Sequence, residues 1–314
     1  MSATAASNDR DLLVLQFLAE YRVATVAQIS TLLGVGGRAA KQRLQRLLDR
    51  GYLSADQPRE DLQPRLRITT RGIRQTDSPL RASTLPTHAG AARPGPRASD
   101  RHRIGLAWLA LGARAGRFGE LDEIVSETTM RSADARVAHS ETPLRTPSGV
   151  KVPAGRLYEP YGVGQGAGGP ADLGERHYPD LLLRDRDGRT IAVELELSSK
   201  GAAPLRRVMA AYAADPRIDA IVYFIPLERL RGPILSAAQA AGVSDRLQIH
   251  RFGRIEGAAA PGEPAIAAAP GSTRRVAGTR RPANAADLDG LDAAARSLTS
   301  TYRRPAARPA ELGR

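Results

Sequence analysis

Three carboxylates, Asp180, Glu194 and Glu196, fall in one stretch that reads Tyr-Pro-Asp-Leu-Leu-Leu-Arg-Asp-Arg-Asp-Gly-Arg-Thr-Ile-Ala-Val-Glu-Leu-Glu-Leu-Ser-Ser-Lys from Tyr178 to Lys200. Acids brought this close repel one another and raise each other's proton affinity unless a cation neutralises them. Oxygen-only ligand sets suit Mg²⁺, which keeps several waters and also takes phosphate oxygens. Whether the three meet depends on a turn. Asp185-Arg186-Asp187-Gly188 has Asp at the first and Gly at the fourth position of a type I turn, and a glycine there closes a hairpin with a bulge. This register pairs Asp185 with Arg189 and sets Asp180 opposite Glu194. Leu181, Leu183, Ile191, Val193, Leu195 and Leu197 then share one face, and the three acids share the other. A slip of one residue would mix acids into the apolar face, so the hydrophobic pattern selects the register. The same alternation also describes the solvated side of an ordinary antiparallel hairpin, which stands beside the metal site as the alternative.

The flanking segments must hold this hairpin in place. Residues 203–214 put Leu205, Val208, Met209 and Tyr212 on one helical face. The apolar run Asp219–Ile225 predicts a buried strand, followed by a short helix near Pro233–Ala241 and a last strand near Arg246–Phe252. Upstream, Asp100–Arg117 predicts a helix with Ile104, Ala107, Trp108 and Leu111 on one side, and Ile124–Met130 predicts another strand.

This αβββαβ order, with Pro179-Asp180 on one strand and Glu194-Leu195-Glu196 on the next, resembles the PD-(D/E)xK nuclease superfamily. The resemblance implies a restriction-endonuclease-like α/β domain with a mixed sheet, a Mg²⁺ cofactor held by Asp180, Glu194 and Glu196, and Glu127 as an additional metal-binding acid. Glu196 stands where that motif usually has lysine. Lys200 or Arg207 would then supply the positive charge that stabilises the transferred phosphate, and all of Asp180, Glu194, Glu196, Lys200 and Arg207 count as candidate catalytic residues. Lys200 is one of only three lysines, with Lys41 and Lys151, in a chain whose positive charge is otherwise arginine.

A second legible region spans residues 9–75. Asp9–Tyr21 predicts a largely buried helix through Leu12, Leu13, Leu15, Phe17 and Leu18. Thr25 is the expected N-cap of a short helix to Leu33, with Val26, Ile29 and Leu32 inward. After a turn at Gly34–Gly37, Arg38–Arg50 predicts a third helix with Ala40, Leu44, Leu47 and Leu48 inside and Arg38, Lys41, Arg43 and Arg46 outside. Gly51-Tyr52-Leu53 and Leu66–Gly72 predict a two-stranded ribbon. Three helices and a ribbon resemble a bacterial winged helix-turn-helix, which implies double-stranded DNA as partner. The DNA-contacting candidates are Arg38, Lys41, Arg43 and Arg46 on the third helix and Arg67 and Arg71 on the ribbon. Residues 1–75 hold 12 Lys+Arg against 7 Asp+Glu, an excess of the sign that phosphates require.

The length of 314 residues allows about two domains plus tails. We expect a winged-helix domain at 9–75, a linker at 76–99, a nuclease-like domain at 100–255 and a disordered Ala/Pro/Arg-rich tail at 256–314. Leu144–Gly174, rich in Gly and Pro, reads as a long loop. Its Gly164, Gly166 and Gly169 match G-x-G-x-x-G, but no strand precedes them and no helix follows, so no dinucleotide site is inferred. The net charge of +13 favours a polyanionic partner. The absence of cysteine excludes disulfides and thiolate metal sites. No apolar stretch reaches the length of a membrane span, and a cytoplasmic protein is the simplest expectation. The five histidines make no zinc spacing; His177 is notable for preceding Asp180 closely.

Taken together, the winged helix, linker and nuclease-like domain resemble the replication-relaxation family of actinobacterial plasmids and integrative elements, over roughly residues 9–252. The residues carrying the resemblance are Asp100 and His102 at a helix start, Ser126-Glu127, Met130-Arg131, Pro179-Asp180, Glu194-x-Glu196 and Tyr212. It implies a DNA-binding protein of plasmid or mobile-element replication or relaxation, either a Mg²⁺-dependent endonuclease or nickase, or a non-catalytic regulator or replication accessory with a degenerate nuclease fold. Homodimerisation is left open.

Overall fold

The computed structural model describes residues 3–56, 64–76, 98–138, 144–145, 151–152, 160–164 and 176–253. The expected tail at 256–314, nearly all of the expected linker and most of the long loop lie outside them.

The amino-terminal part builds three helices, α1 (Ala3–Tyr21), α2 (Val26–Leu33) and α3 (Gly37–Asp49). Thr25 caps α2 as expected. Its hydroxyl accepts the Gln28 N–H, and the Gln28 side chain accepts the Thr25 N–H at 2.9 Å, so two orphan donors are satisfied at once. Three antiparallel strands follow in the order β1 (Ala24–Thr25), β3 (Arg65–Ile68), β2 (Leu53–Asp56). The expected second strand stops at Ile68, because Thr69 caps a single helical turn, α4 (Thr70–Ile73), accepting the Gly72 N–H at 3.1 Å.

The central element is a mixed five-stranded sheet of order β12-β11-β10-β9-β4. Its strands are β4 (Leu121–Ser126), β9 (Leu181–Asp185), β10 (Thr190–Leu195), β11 (Ala220–Ile225) and β12 (Leu247–Arg251). β10, β11 and β12 run parallel, while β9 is antiparallel to both of its neighbours. Parallel neighbours require crossovers, supplied by α7 (Ala202–Ala214) and α8 (Arg231–Ala241). Four two-residue strands make two small ribbons, β5 (Leu144–Arg145) with β6 (Lys151–Val152) and β7 (Val163–Gly164) with β8 (Arg176–His177).

One expectation is corrected. The β-branched run Ile124–Met130 is not a continuous strand: β4 ends at Ser126 and α6 (Glu127–Ala138) begins. Ser126 Oγ accepts the Thr129 N–H at 3.3 Å, an N-cap with an acid in the first turn.

Both faces of the sheet are covered. Leu181, Leu183, Val193, Leu195, Val222 and Phe224 pack toward α5 (Ala98–Arg114), and the same apolar cluster continues through α1 and α2 into the amino-terminal sheet. Leu182, Ala192, Ile221, Tyr223 and Ile225 pack toward α7 and α8. Gly105 lets α5 approach β10, since a Cβ there would stand 2.4 Å from Leu195 Cδ2. Buried Gln28 donates to the Ile104 carbonyl at 2.7 Å, tying α2 to α5. No helix among the described residues is long and apolar enough to cross a membrane.

Candidate functional site

The hairpin closes in the expected register. Gly188 takes φ +80° and donates to the Asp185 carbonyl at 3.0 Å. Asp185 N–H donates to the Arg189 carbonyl at 3.0 Å, and Leu181 to Arg184 pair with Val193 to Thr190. Continuing this pairing places Asp180 across from Glu194. The acid side of the hairpin is not solvated: Asp180, Glu194 and Glu196 are 8%, 3% and 5% exposed. Carboxylates taken this far from water need partners, and each has them.

Asp180 Oδ2 accepts the Leu195 N–H at 2.7 Å, extending the ladder through a side chain. His102, from the first turns of α5, places Nε2 3.2 Å from the same oxygen and 3.1 Å from the Leu195 carbonyl. Both neighbours are acceptors, so Nε2 carries a proton. Burial works against the charged imidazole, but the hydrogen bond and charge of Asp180 outweigh it, and the His102 pKa is raised.

Glu194 lies on the α7 side of the sheet. Its Oε1 accepts the Tyr212 hydroxyl, and His177 Nε2 stands 2.6 Å from it. Burial opposes ionisation of Glu194, yet His177, Lys200 and the Tyr212 hydrogen bond hold its pKa below the usual range. Burial, then the Glu194 charge, drives Tyr212 well above the usual tyrosine range, so it stays a neutral donor.

Glu196 pairs with Lys200, Nζ to Oε2 3.0 Å. Burial raises the Glu196 pKa despite that cation. Burial disfavours the Lys200 ammonium, but the charges of Glu194, Glu196 and Asp180 more than compensate, and its pKa is raised. Of the three acids, Glu196 is the one that Lys200 meets directly. Arg207 is exposed on the outer side of α7. Glu127 joins Asp180 only through its backbone N–H, 3.1 Å from the Asp180 carbonyl, while its side chain meets Arg131 at 2.7 Å.

The residues do not fit a divalent cation as they stand. The carboxylates are divided among His102, His177 with Tyr212, and Lys200, and among the described residues no three acidic or histidine side chains are grouped to hold a metal.

The basic candidates divide into two sets. Arg38, Lys41 and Arg46 are exposed on α3. Arg71 is exposed with its guanidinium 5.4 Å from the Tyr52 ring centroid. Arg43 instead forms an ion pair with Asp11 of α1. Arg67 meets Asp100 at 2.7 Å and Asp56 at 3.4 Å, and Arg65 joins Asp100 at 3.1 Å.

The sequence reading did not assign His102, His177 and Tyr212 as partners of the acids. His102 and His177 are the histidines nearest a helix start and the Pro-Asp, and Tyr212 occupies the inward face of its helix. Those placements are the available signals, but the contacts themselves are long-range.

A family model described as replication-relaxation matches residues 15–214. No curated protein matches the chain.

Proposed function

This chain belongs to the replication-relaxation family, and from that premise we propose that it is a cytoplasmic double-stranded-DNA-binding protein of plasmid or mobile-element replication or relaxation. The observation that carries the reading is the solvent side of α3, on which Arg38, Lys41 and Arg46 are all exposed. With α1, α2 and the β2–β3 ribbon, α3 has the place of the reading helix in a winged helix-turn-helix, and its cations suit the phosphates beside a major groove. Arg71, exposed just after the ribbon, would in this reading meet the flanking backbone.

The α/β part serves in this reading as a nuclease-like platform whose carboxylates are occupied by the protein's own His102, His177 and Lys200. The competing reading, Mg²⁺-dependent nicking, rests on the hairpin register that sets Asp180 opposite Glu194, with Glu196 two residues on. One pair of assays separates them. Binding to duplex DNA across a salt series should be steep, and Lys41→Ala or Arg46→Ala should each reduce the slope of log K against log salt by about 0.9. Incubation with supercoiled plasmid and Mg²⁺ should leave it intact. Unchanged slopes in both variants would remove α3 as the DNA face. Nicking that disappears in Asp180→Ala/Glu194→Ala would replace the platform reading with the enzymatic one.

A further inference from the structure

The two edges of the five-stranded sheet are built differently. β4 is blunted: its pairing with β9 shifts between Leu121 and Glu123, and Asp122 and Glu123 put acids on that edge. Bulges and charges of this kind are how sheet edges avoid further pairing. β12 has neither. Its five residues, Leu247-Gln248-Ile249-His250-Arg251, pair with Ile221–Ile225 in unbroken register and include no proline, lysine or acid.

The direction of the free backbone groups follows from the ladder. Phe252 N–H donates to the Ile225 carbonyl at 2.7 Å. In this parallel pair Gln248 and His250 therefore turn their N–H and C=O groups to β11, while Leu247, Ile249 and Arg251 turn theirs outward. Arg231 of α8, also ion-paired with Glu228, agrees: its Nη2 reaches the Ile249 carbonyl at 3.4 Å, a long bond that a strand N–H can replace. Leu235 lies one turn beyond Arg231 on the same side of α8. It therefore flanks this edge, and it is 45% exposed. Leu247 and Ile249, on the α8 face of the strand, are only partly buried. An open ladder beside exposed apolar side chains is a template for another strand.

The residues of β12 suit a second copy of themselves. Antiparallel pairing about Ile249 sets Ile249 against its own counterpart and Leu247 against Arg251, outward group to outward group. Gln248 then faces His250 on the other side of the sheet, and no like charges meet. Past Leu247, the same register brings exposed Arg251 to exposed Asp245 of the second copy, an ion pair made twice by symmetry.

We propose that this chain forms a two-fold dimer through β12, joining two sheets into one, with Ile249 and Leu235 of both copies beside the axis and Arg251 paired to Asp245 across it. A dimer so built carries two α3 helices related by a two-fold axis, the symmetry of inverted half-sites in duplex DNA, but the inference stands whether or not α3 meets DNA.

The test measures the mass of the full chain by sedimentation across a concentration series. The wild-type chain should sediment at twice the mass of one copy and dissociate on dilution. Leu235→Glu sets two acids near the axis, and Ile249→Pro removes an outward N–H while sparing the ladder to β11. Both should be monomeric, with unchanged far-ultraviolet circular dichroism. The charge series needs no change in the strand's apolar residues. Arg251→Asp and Asp245→Arg should each weaken the dimer about tenfold, the worth of two exposed ion pairs, and the double variant should restore it. A double variant as weak as the single ones overturns the proposed register. A single-copy mass at every concentration leaves the edge to the chain's own carboxy-terminal segment or to another protein, and overturns the proposal. So does a dimer unaffected by all four single variants.

Discussion

Asp100 on α5 is the acid whose removal should cost the fold most. Its side chain is 2% exposed and receives Arg67 at 2.7 Å and Arg65 at 3.1 Å, guanidiniums that are themselves 14% and 9% exposed. Asp100→Ala leaves two like charges side by side in low dielectric, the situation in which breaking a buried pair costs about 3–5 kcal/mol. That is a large share of the roughly 5–15 kcal/mol that holds an ordinary protein folded. At about 2–4 °C per kcal/mol for a chain of this size, the melting temperature should fall by roughly 6–20 °C. Asp100→Asn, which keeps the shape and one acceptor, should fall less. Urea unfolding of the three proteins gives the comparison directly. Arg67→Ala supplies the second arm: it should lower stability and leave the salt slope of DNA binding unchanged, since Arg67 is committed to Asp100. A loss below about 1 kcal/mol for Asp100→Ala, the value of an exposed pair, would refute the claim that this triad is buried and structural. A reduced salt slope for Arg67→Ala would return Arg67 to the DNA face.

The His102–Asp180 contact carries a pH signature. Because the folded His102 pKa is raised, its contribution is full below the unfolded value of about 6.5 and fades as pH rises through the folded value. The gap in melting temperature between the wild-type chain and His102→Gln should therefore shrink from pH 6 to pH 9; a gap that widens would contradict the assignment. At the α5–β10 approach, Gly105→Ala forces a Cβ to 2.4 Å from Leu195 Cδ2. Overpacking of this kind costs about 1–3 kcal/mol, while Leu195→Ala alone costs about 2–5 kcal/mol. The double variant should be at least about 1 kcal/mol more stable than the sum of the two losses, and simple additivity in a thermodynamic cycle would refute the contact.

Local signals explain what the sequence made legible. The Gly188 turn and the leucine alternation were enough to set the Asp180–Glu194 register, and Thr25 marked the start of α2. The helices and strands after Lys200 followed from periodicity within one residue or two at most ends. What stayed hidden was long-range or competed with a stronger local pattern. Arg43 and Arg67 occupy positions that periodicity turns outward, but Asp11 and Asp100, far away in sequence, claim them. Ile124–Met130 has the β-branched look of a strand, and the cap formed by Ser126 prevails because it satisfies helix donors that a strand would leave to another partner. The pairing of Asp180 with His102 requires α5 to cross β10 at Gly105, a close approach that only the folded sheet defines.

α5 lends one side to the sheet and another to the amino-terminal helices, through a continuous apolar cluster and the Gln28–Ile104 bond. The two parts therefore cannot swing independently without tearing that cluster open. The orientation of α3 relative to the carboxylate hairpin is thus set by the packing of a single helix.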